Sequence, residues 1–184
     1  MTHPTGQPLL PTRSLSPGQT TQVWVVDLDN GVPDLVYSSD ELLLEAPNWA
    51  PDGTGLLFNG DGLLWWLDPE PAGTLTRVPI EDLPPIDNDH VVDGPRGLIY
   101  LSANDGHLYV VPIAGGAATQ ISHDSTRYHF LHGVSPDGGT LAFVDLPRGD
   151  FSAASLIPAA GGETTYLSAG SRHVDGPEYS ADGA

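Results

Sequence analysis

Acidic, imidazole and amide side chains recur at fixed distances before a turn motif that is repeated along the chain. The turn consists of a small residue followed by Pro-Asp-Gly, as in residues 50–53 and 135–138. Side chains of these types can bind a divalent metal or a polar ligand, and crowded carboxylates can also act as general acid and base. The candidates lie four to seven residues before the aspartate position of successive turns: Glu45, Asn48, Asp89, His90, His132, Asp175 and Glu178.

The turn belongs to a repeat of about 43 residues. Further copies lie at residues 178–183 and, in degenerate form, at 92–95, and an apolar run ending in Phe58, Tyr100 or Phe143 follows each of the first three copies. Between these landmarks lie short β-like runs and hairpin turns such as Asn104-Asp105-Gly106. No segment sustains helical apolar spacing, so the sequence predicts an all-β fold.

Four short strands in each period of about 40 to 45 residues are the signature of a β-propeller blade. We predict a flexible lead-in over residues 1–19 and a partial β-propeller over residues 20–184. The predicted blade segments are 20–44, 45–86, 87–129 and 130–174, with the start of another at 175–184. In such a ring the residues before each turn lie on the innermost strand, so the seven candidates would face one central channel. The alternative interpretation is that these polar residues only line a wet channel.

The phrases Asn48-Trp49-Ala50-Pro51-Asp52-Gly53 and His132-Gly133-Val134-Ser135-Pro136-Asp137-Gly138 resemble the WD-like repeats of TolB-like β-propellers. The same repeat class forms the propeller domains of dipeptidyl-peptidase-IV-like enzymes. The resemblance implies a six-bladed ring when complete, of which this chain would be an incomplete arc of about three blades plus partial blades. We therefore expect either a fragment of a longer protein or self-association through open propeller edges.

Composition excludes several classes of function. The chain has 184 residues, a formal net charge of −18, no lysine and no cysteine. This charge argues against binding to nucleic acid or to anionic membranes, because both attract clustered positive charge. Without cysteine there are no disulfides or thiol chemistry. No signal or membrane-spanning segment is evident, so the prediction is a cytoplasmic protein without membrane insertion.

Three motif-like segments are better explained as structure than as chemistry. Residues 133–137 differ from the Gly-x-Ser-x-Gly hydrolase motif because the fifth residue is Asp137. The Gly-Gly pair at 115–116 lacks the lysine and following helix of a phosphate-binding loop. The acidic segment 87–89 lacks the remaining ligands of an EF-hand calcium loop.

The sequence favours a non-catalytic TolB-like scaffold that binds a protein partner or a small polar ligand. No cofactor is predicted, with a divalent metal in the central channel as the alternative. Two enzymatic interpretations stay open: a metal-dependent lyase or hydrolase using the His/carboxylate cluster, and the propeller part of a dipeptidyl-peptidase-IV-like peptidase.

Overall fold

Three four-stranded antiparallel sheets follow one another along the chain, preceded by a two-stranded sheet. The structure is a computed structural model that describes residues 9–147, 151–167 and 172–183. The described residues form β-strands and a single short 3-10 helix, Gly94–Arg96, and contain no α-helix. The prediction of an all-β fold built from four-stranded blades is confirmed.

Each sheet is ordered from its first strand outward, as in a propeller blade. The two-stranded sheet pairs β1 (Thr21–Val26) with β2 (Pro33–Ser39). The first blade contains β3 (Glu45–Trp49), β4 (Leu56–Gly60), β5 (Leu63–Leu67) and β6 (Leu75–Arg77). The second contains β8 (Ile86–Asp93), β9 (Leu98–Ala103), β10 (Leu108–Pro112) and β12 (Thr119–Gln120). The third contains β13 (Arg127–Val134), β14 (Thr140–Pro147), β15 (Ala153–Pro158) and β16 (Thr165–Tyr166).

A further parallel pair links the outer parts of the first two blades. It joins β7 (Ile80–Glu81) to β11 (Gly116–Ala117). The first strands of the three blades are neighbours, because β8 contacts both β3 and β13. These first strands therefore form the inner side of the arc, which is where the sequence repeat predicts the candidate residues.

The repeated turn has the same hydrogen bonding in its copies. The N–H of Gly53, Gly138 and Gly183 donates to the carbonyl oxygen three residues earlier, and each of these glycines has positive φ. A residue with a side chain is strained in this left-handed conformation, which explains the glycine. The degenerate copy is a 3-10 helix, in which the Asp93 carboxylate accepts a hydrogen bond from the Arg96 N–H.

The core consists of three apolar clusters that lie between successive sheets. One joins the two-stranded sheet to the first blade through Val36 and Phe58. The second joins the first and second blades through Leu57 and Ile99. The third joins the second and third blades, and Phe143 is fully buried in it. Burying a side chain of this size contributes roughly 1.5–3 kcal/mol, so the packing between blades is a main source of stability.

Within the described part of the chain, no helix has the length and apolar content needed to cross a membrane.

Candidate functional site

The inner strand of every blade carries a register shift at the candidate residues. The shift lies between Glu45 and Asn48 in β3, between Ile86 and His90 in β8, and between Leu131 and Gly133 in β13. Such β-bulges leave residues outside the ladder and re-aim their side chains, and they occur often beside functional sites. The bulges leave Asp89 and His132 outside regular strand pairing, whereas Glu45, Asn48 and His90 keep partners in the ladder.

A cleft of about 520 Å³ opens beside the inner strands of the second and third blades. Its volume is within the range of small-molecule sites, roughly 300–1,000 Å³. Three of the seven predicted residues line it, namely Asp89, His132 and Asp175. The cleft is also lined by Arg13, Asp87, Asn88, Phe130, Val144, Leu146, Ser152, His173 and Val174.

An imidazole–carboxylate contact lies at the mouth of the cleft. His132 Nε2 is 3.2 Å from Asp175 Oδ1, and the Asp175 side chain is 88% exposed. Because water surrounds Asp175, this contact contributes little to stability and can rearrange around a ligand.

Asp89 has a different environment. Its side chain is partly buried, and no hydrogen bond or ion pair joins it to any residue that the structure describes. Burial raises the pKa of the Asp89 carboxyl to about 6; His132 and Arg13 lower this pKa, while Asp87 and Asp175 raise it. Asp89 is therefore a carboxylate that is largely charged at neutral pH and lacks a bonded counter-charge.

Glu45 lies at the edge of this site through Arg13. The Arg13 guanidinium lies between two acids, with Nε 3.3 Å from Glu45 Oε2 and one Nη 3.8 Å from Asp87 Oδ1. Upstream, the Leu10 N–H donates to the Asn104 carbonyl at 2.7 Å, which fixes the segment against the second blade. Residues 9–13, predicted as part of a flexible lead-in, thus contribute a cation to the cleft.

His90 and Asn48 are placed together but away from the cleft. His90 is 5% exposed, and its Nε2 lies 3.1 Å from Asn48 Nδ2. Its Nδ1 lies 2.5 Å from Asn59 Oδ1. Burial lowers the pKa of His90 to about 4, so the ring is neutral at pH 7. These two residues serve to join the first and second blades.

Glu178 is exposed and is not part of the cleft wall. Its backbone packs on the third blade, since a Cβ on Gly133 would lie 3.2 Å from the Glu178 Cα. Of the seven predicted residues, the structure thus brings three into the cleft and places Glu45 at its edge. The other three lie outside.

The described residues contain no group of three or more His, Cys, Asp or Glu side chains that could hold a metal ion. Asp89, His132 and Asp175 are the nearest approach to such a set in the cleft, but only the last two are in contact. The structure therefore supplies no ready-made metal centre in the described regions.

A Ser-His-Asp arrangement between the second and third blades looks like a hydrolytic triad. Ser122 Oγ lies 2.8 Å from His129 Nδ1, and His129 Nε2 lies 3.8 Å from Asp145 Oδ2. All three residues are at most 2% exposed, and Ser122 Oγ already accepts the N–H of Leu108 at 2.9 Å. No substrate can reach this hydroxyl, so the arrangement is part of the interface between blades.

Burial also determines the charges in this network. It lowers the pKa of His129 to about 4, so His129 and Asp145 do not form an ion pair at neutral pH. The Asp145 charge is instead balanced by Arg127, whose Nη1 lies 2.5 Å from Asp145 Oδ1.

The successive four-stranded antiparallel sheets, packed side by side through their first strands, define the class of this protein as a β-propeller. A protein of Agrobacterium tumefaciens assigned to TolB superposes on it with a TM-score of 0.76 and 28% identity, covering 89% of this chain and 59% of that one. TolB from Acinetobacter baumannii gives a TM-score of 0.68 at 18% identity, covering 88% of this chain and 41% of that one. The chain is a TolB-like β-propeller.

Sequence comparison identifies a curated relative. An uncharacterized protein of Agrobacterium fabrum is 34% identical over 158 residues, which cover 81% of this chain and 51% of that protein. The chain thus spans about half the length of this curated relative. No family model matches the chain.

Enzymes also occur among more distant propellers. An oligogalacturonate lyase in complex with manganese covers 91% of this chain with a TM-score of 0.61 at 12% identity. A puromycin hydrolase covers 95% with a TM-score of 0.59 at 17% identity. At these identities the likeness shows the shared fold alone.

Proposed function

We propose that this protein is a non-catalytic binding scaffold whose ligand site is the cleft beside the inner strands. The observation that carries the proposal is the convergence of polar groups from separate parts of the chain. Arg13 comes from the N-terminal segment, Asp89 from the second blade, His132 from the third and Asp175 from the segment after it. The inner strands of two blades hold Asp89 and His132, and these four groups surround one volume, as small-ligand sites require.

Two features support binding rather than catalysis. His90 is bonded on both ring nitrogens to asparagines, and the Ser122-His129-Asp145 network is closed to solvent. Neither set of groups can meet a substrate in this arrangement. The cleft itself contains one imidazole–carboxylate pair, which suits recognition of a polar ligand.

The natural partner in this proposal is a small polar ligand or the exposed segment of a protein. A net charge of −18 disfavours nucleic acid. We also propose a cytoplasmic location, and the cleft proposal does not depend on it.

The proposal can be tested with a panel of small polar compounds measured by calorimetry. The panel contains amines, amino acids, sugar acids and neutral sugars, and each is titrated into the wild type and the triple variant Asp89→Asn/His132→Asn/Asp175→Asn. We expect at least one class to bind the wild type and to lose at least about tenfold in affinity in the variant. Asp40→Asn, an exposed acid outside the cleft, is the matched control. Binding that is unaffected by the triple variant, or no binding at all, would overturn the cleft proposal.

A metal-dependent enzyme is the second candidate, favoured by the His132–Asp175 contact in the cleft. Its test is titration with Mn²⁺, Ca²⁺ and Zn²⁺, using His132→Ala against His90→Ala. A metal bound in the cleft should bind more weakly to His132→Ala than to the wild type. Its affinity for His90→Ala should stay as in the wild type, because His90 is buried away from the cleft. Absence of heat for all three metals would exclude this candidate.

A further inference from the structure

The lining of the cleft is of two chemical kinds. Phe130, Val144, Leu146 and Val174 contribute hydrocarbon. Asp87, Asp89 and Asp175 contribute carboxylates. A ligand that fills this volume must therefore cover hydrocarbon and also meet carboxylates.

The charged side chains that the structure describes in the cleft lining do not balance. They are three carboxylates and one guanidinium, that of Arg13, which is already shared with Glu45 outside the lining. His132 is in contact with Asp175. Among the described residues Asp89 has no hydrogen-bonded or ion-paired partner, although it is partly buried. A partly buried carboxylate without a partner is costly, and a bound cation would remove that cost.

We propose that the ligand of this cleft is an organic monocation with an apolar body, such as an arylalkyl or alkyl ammonium compound. The ammonium group lies against Asp89 and Asp87, while the hydrocarbon part covers Phe130 and Leu146. This inference rests on the proposed function, because it names the ligand class of the same site.

Other ligand classes satisfy only part of the cleft. An anion would meet three carboxylates in a protein whose net charge is −18. A hydrated metal ion would leave the apolar lining residues in contact with water and would find no group of three ligands among the described residues. A neutral sugar would meet hydrocarbon with its hydroxyl groups and would leave Asp89 without a counter-charge.

Four matched compounds test separately the need for a positive charge and for an apolar body, in calorimetric titrations at pH 7.5 and low salt. Phenethylammonium has both the charge and the apolar body; ethylammonium lacks most of the body, 2-phenylethanol lacks the charge, and phenylacetate reverses it. We expect saturable binding of phenethylammonium, at least about tenfold weaker binding of ethylammonium and of 2-phenylethanol, and none of phenylacetate. Equal binding of phenethylammonium and ethylammonium, or of phenethylammonium and 2-phenylethanol, would overturn the inference.

Two variants test separately how the carboxylates and the apolar lining residues contribute to the affinity for phenethylammonium. Asp89→Asn should weaken phenethylammonium at least about tenfold and leave 2-phenylethanol unchanged, whereas Leu146→Ser should weaken phenethylammonium more than ethylammonium. Asp40→Asn controls for the general loss of negative charge, and circular dichroism confirms folding of each variant. Unchanged binding of phenethylammonium to both cleft variants would contradict the inference.

The outcome also separates this inference from the proposal on which it rests. If a sugar acid or a metal ion binds and depends on Asp89 and His132 while phenethylammonium does not bind, the ligand class is wrong and the scaffold proposal stands. If no compound binds in a way that depends on the cleft, both fail.

Discussion

His90 in the second blade is hydrogen-bonded through Nδ1 to Oδ1 of Asn59 in the first blade, at 2.5 Å. A similar relationship recurs one blade later, where Nδ1 of His129 in the third blade lies 2.8 Å from Oγ of Ser122, which follows the outer strand of the second. Both imidazoles are buried and lie on inner strands. Adjacent blades are thus joined by a neutral histidine as well as by apolar packing.

This relationship predicts that acid weakens the fold. Burial lowers the pKa of His90 and of His129 to about 4, below the value near 6.5 of an unfolded histidine. Between these pH values the unfolded chain binds more protons, so the free energy of unfolding decreases as pH falls from about 6.5 towards 4. Each histidine contributes at most about 1.4 kcal/mol per pH unit.

Urea unfolding at pH 7 and pH 5 checks this prediction. His90→Gln and His129→Gln should each reduce the difference between the two pH values, and His123→Gln, at an exposed histidine, should leave it as in the wild type. The groups around His129 are His107, Asp124, Arg127 and Asp145, and none of them is altered in these variants. If His90→Gln and His129→Gln both keep the wild-type difference between pH 7 and pH 5, the prediction is wrong.

Asp89 should have the opposite effect on stability. Its pKa is raised by burial from 3.8 to about 6, so the folded chain binds more protons than the unfolded chain between these values. Stability from this group therefore decreases as pH rises through that interval, and the cost is complete above pH 6. We expect Asp89→Asn to stabilise the protein by about 1 kcal/mol at pH 7.5, after allowance for partial exposure, and to have little effect at pH 3.5.

The same urea experiment provides the measurement, with Asp40→Asn as the exposed control. Asp87, Asp175, His132 and Arg13 surround Asp89 and stay unchanged. If Asp89→Asn destabilises the protein at pH 7.5, the Asp89 carboxylate has a partner that stabilises it, and the cleft does not hold an uncompensated charge.

Ser122→Ala should destabilise the protein without affecting any hydrolysis. The hydroxyl accepts the Leu108 N–H and contacts His129, so its removal leaves two buried polar groups without this partner. The expected cost is about 1–3 kcal/mol in the free energy of unfolding. Ser38→Ala, at an exposed serine, should be close to neutral. A loss of p-nitrophenyl acetate hydrolysis in folded Ser122→Ala would instead assign a catalytic role to the network.

The free side of β1 should mediate self-association. Within the described residues β1 pairs only with β2, and the side chains of Trp24 and Trp49 are each 50% exposed. An unpaired strand beside exposed aromatic rings is a typical site of strand-to-strand association. We expect sedimentation velocity to show concentration-dependent oligomers and Trp24→Lys to reduce them. A wild type that is monomeric at all concentrations would contradict this prediction.

The sequence was sufficient for the fold because the fold is encoded in local signals. Gly53 and Gly138 are required by turns that any chain can form locally, and Phe58, Tyr100 and Phe143 repeat at one period and pack between blades. The spacing also predicted the inner strands, two of which carry Asp89 and His132. That these residues and Asp175 bind a ligand stays a prediction.

The rest of the site depends on contacts that no repeat encodes. Arg13 precedes the repeats, and only the tertiary path of residues 9–13 brings it to Asp87. Asp89 and His90 are neighbours on β8, where successive side chains point to opposite faces, and His90 lies at the blade interface while Asp89 lines the cleft. The sequence gives no sign that His129 and Ser122 are in contact, because only the packing of the third blade on the second brings them together.

The aligned bulges of β3, β8 and β13 also have an evolutionary consequence. Residues outside the ladder have no directly opposite cross-strand side chain, so they can be exchanged without the loss of such a pair, and the interblade clusters that stabilise the fold are made by other residues. Selection for a new ligand can therefore act on the inner surface one position at a time at little risk to folding. Related propellers of this architecture should diverge fastest in specificity at the bulged positions, while their blade-to-blade packing stays recognisable.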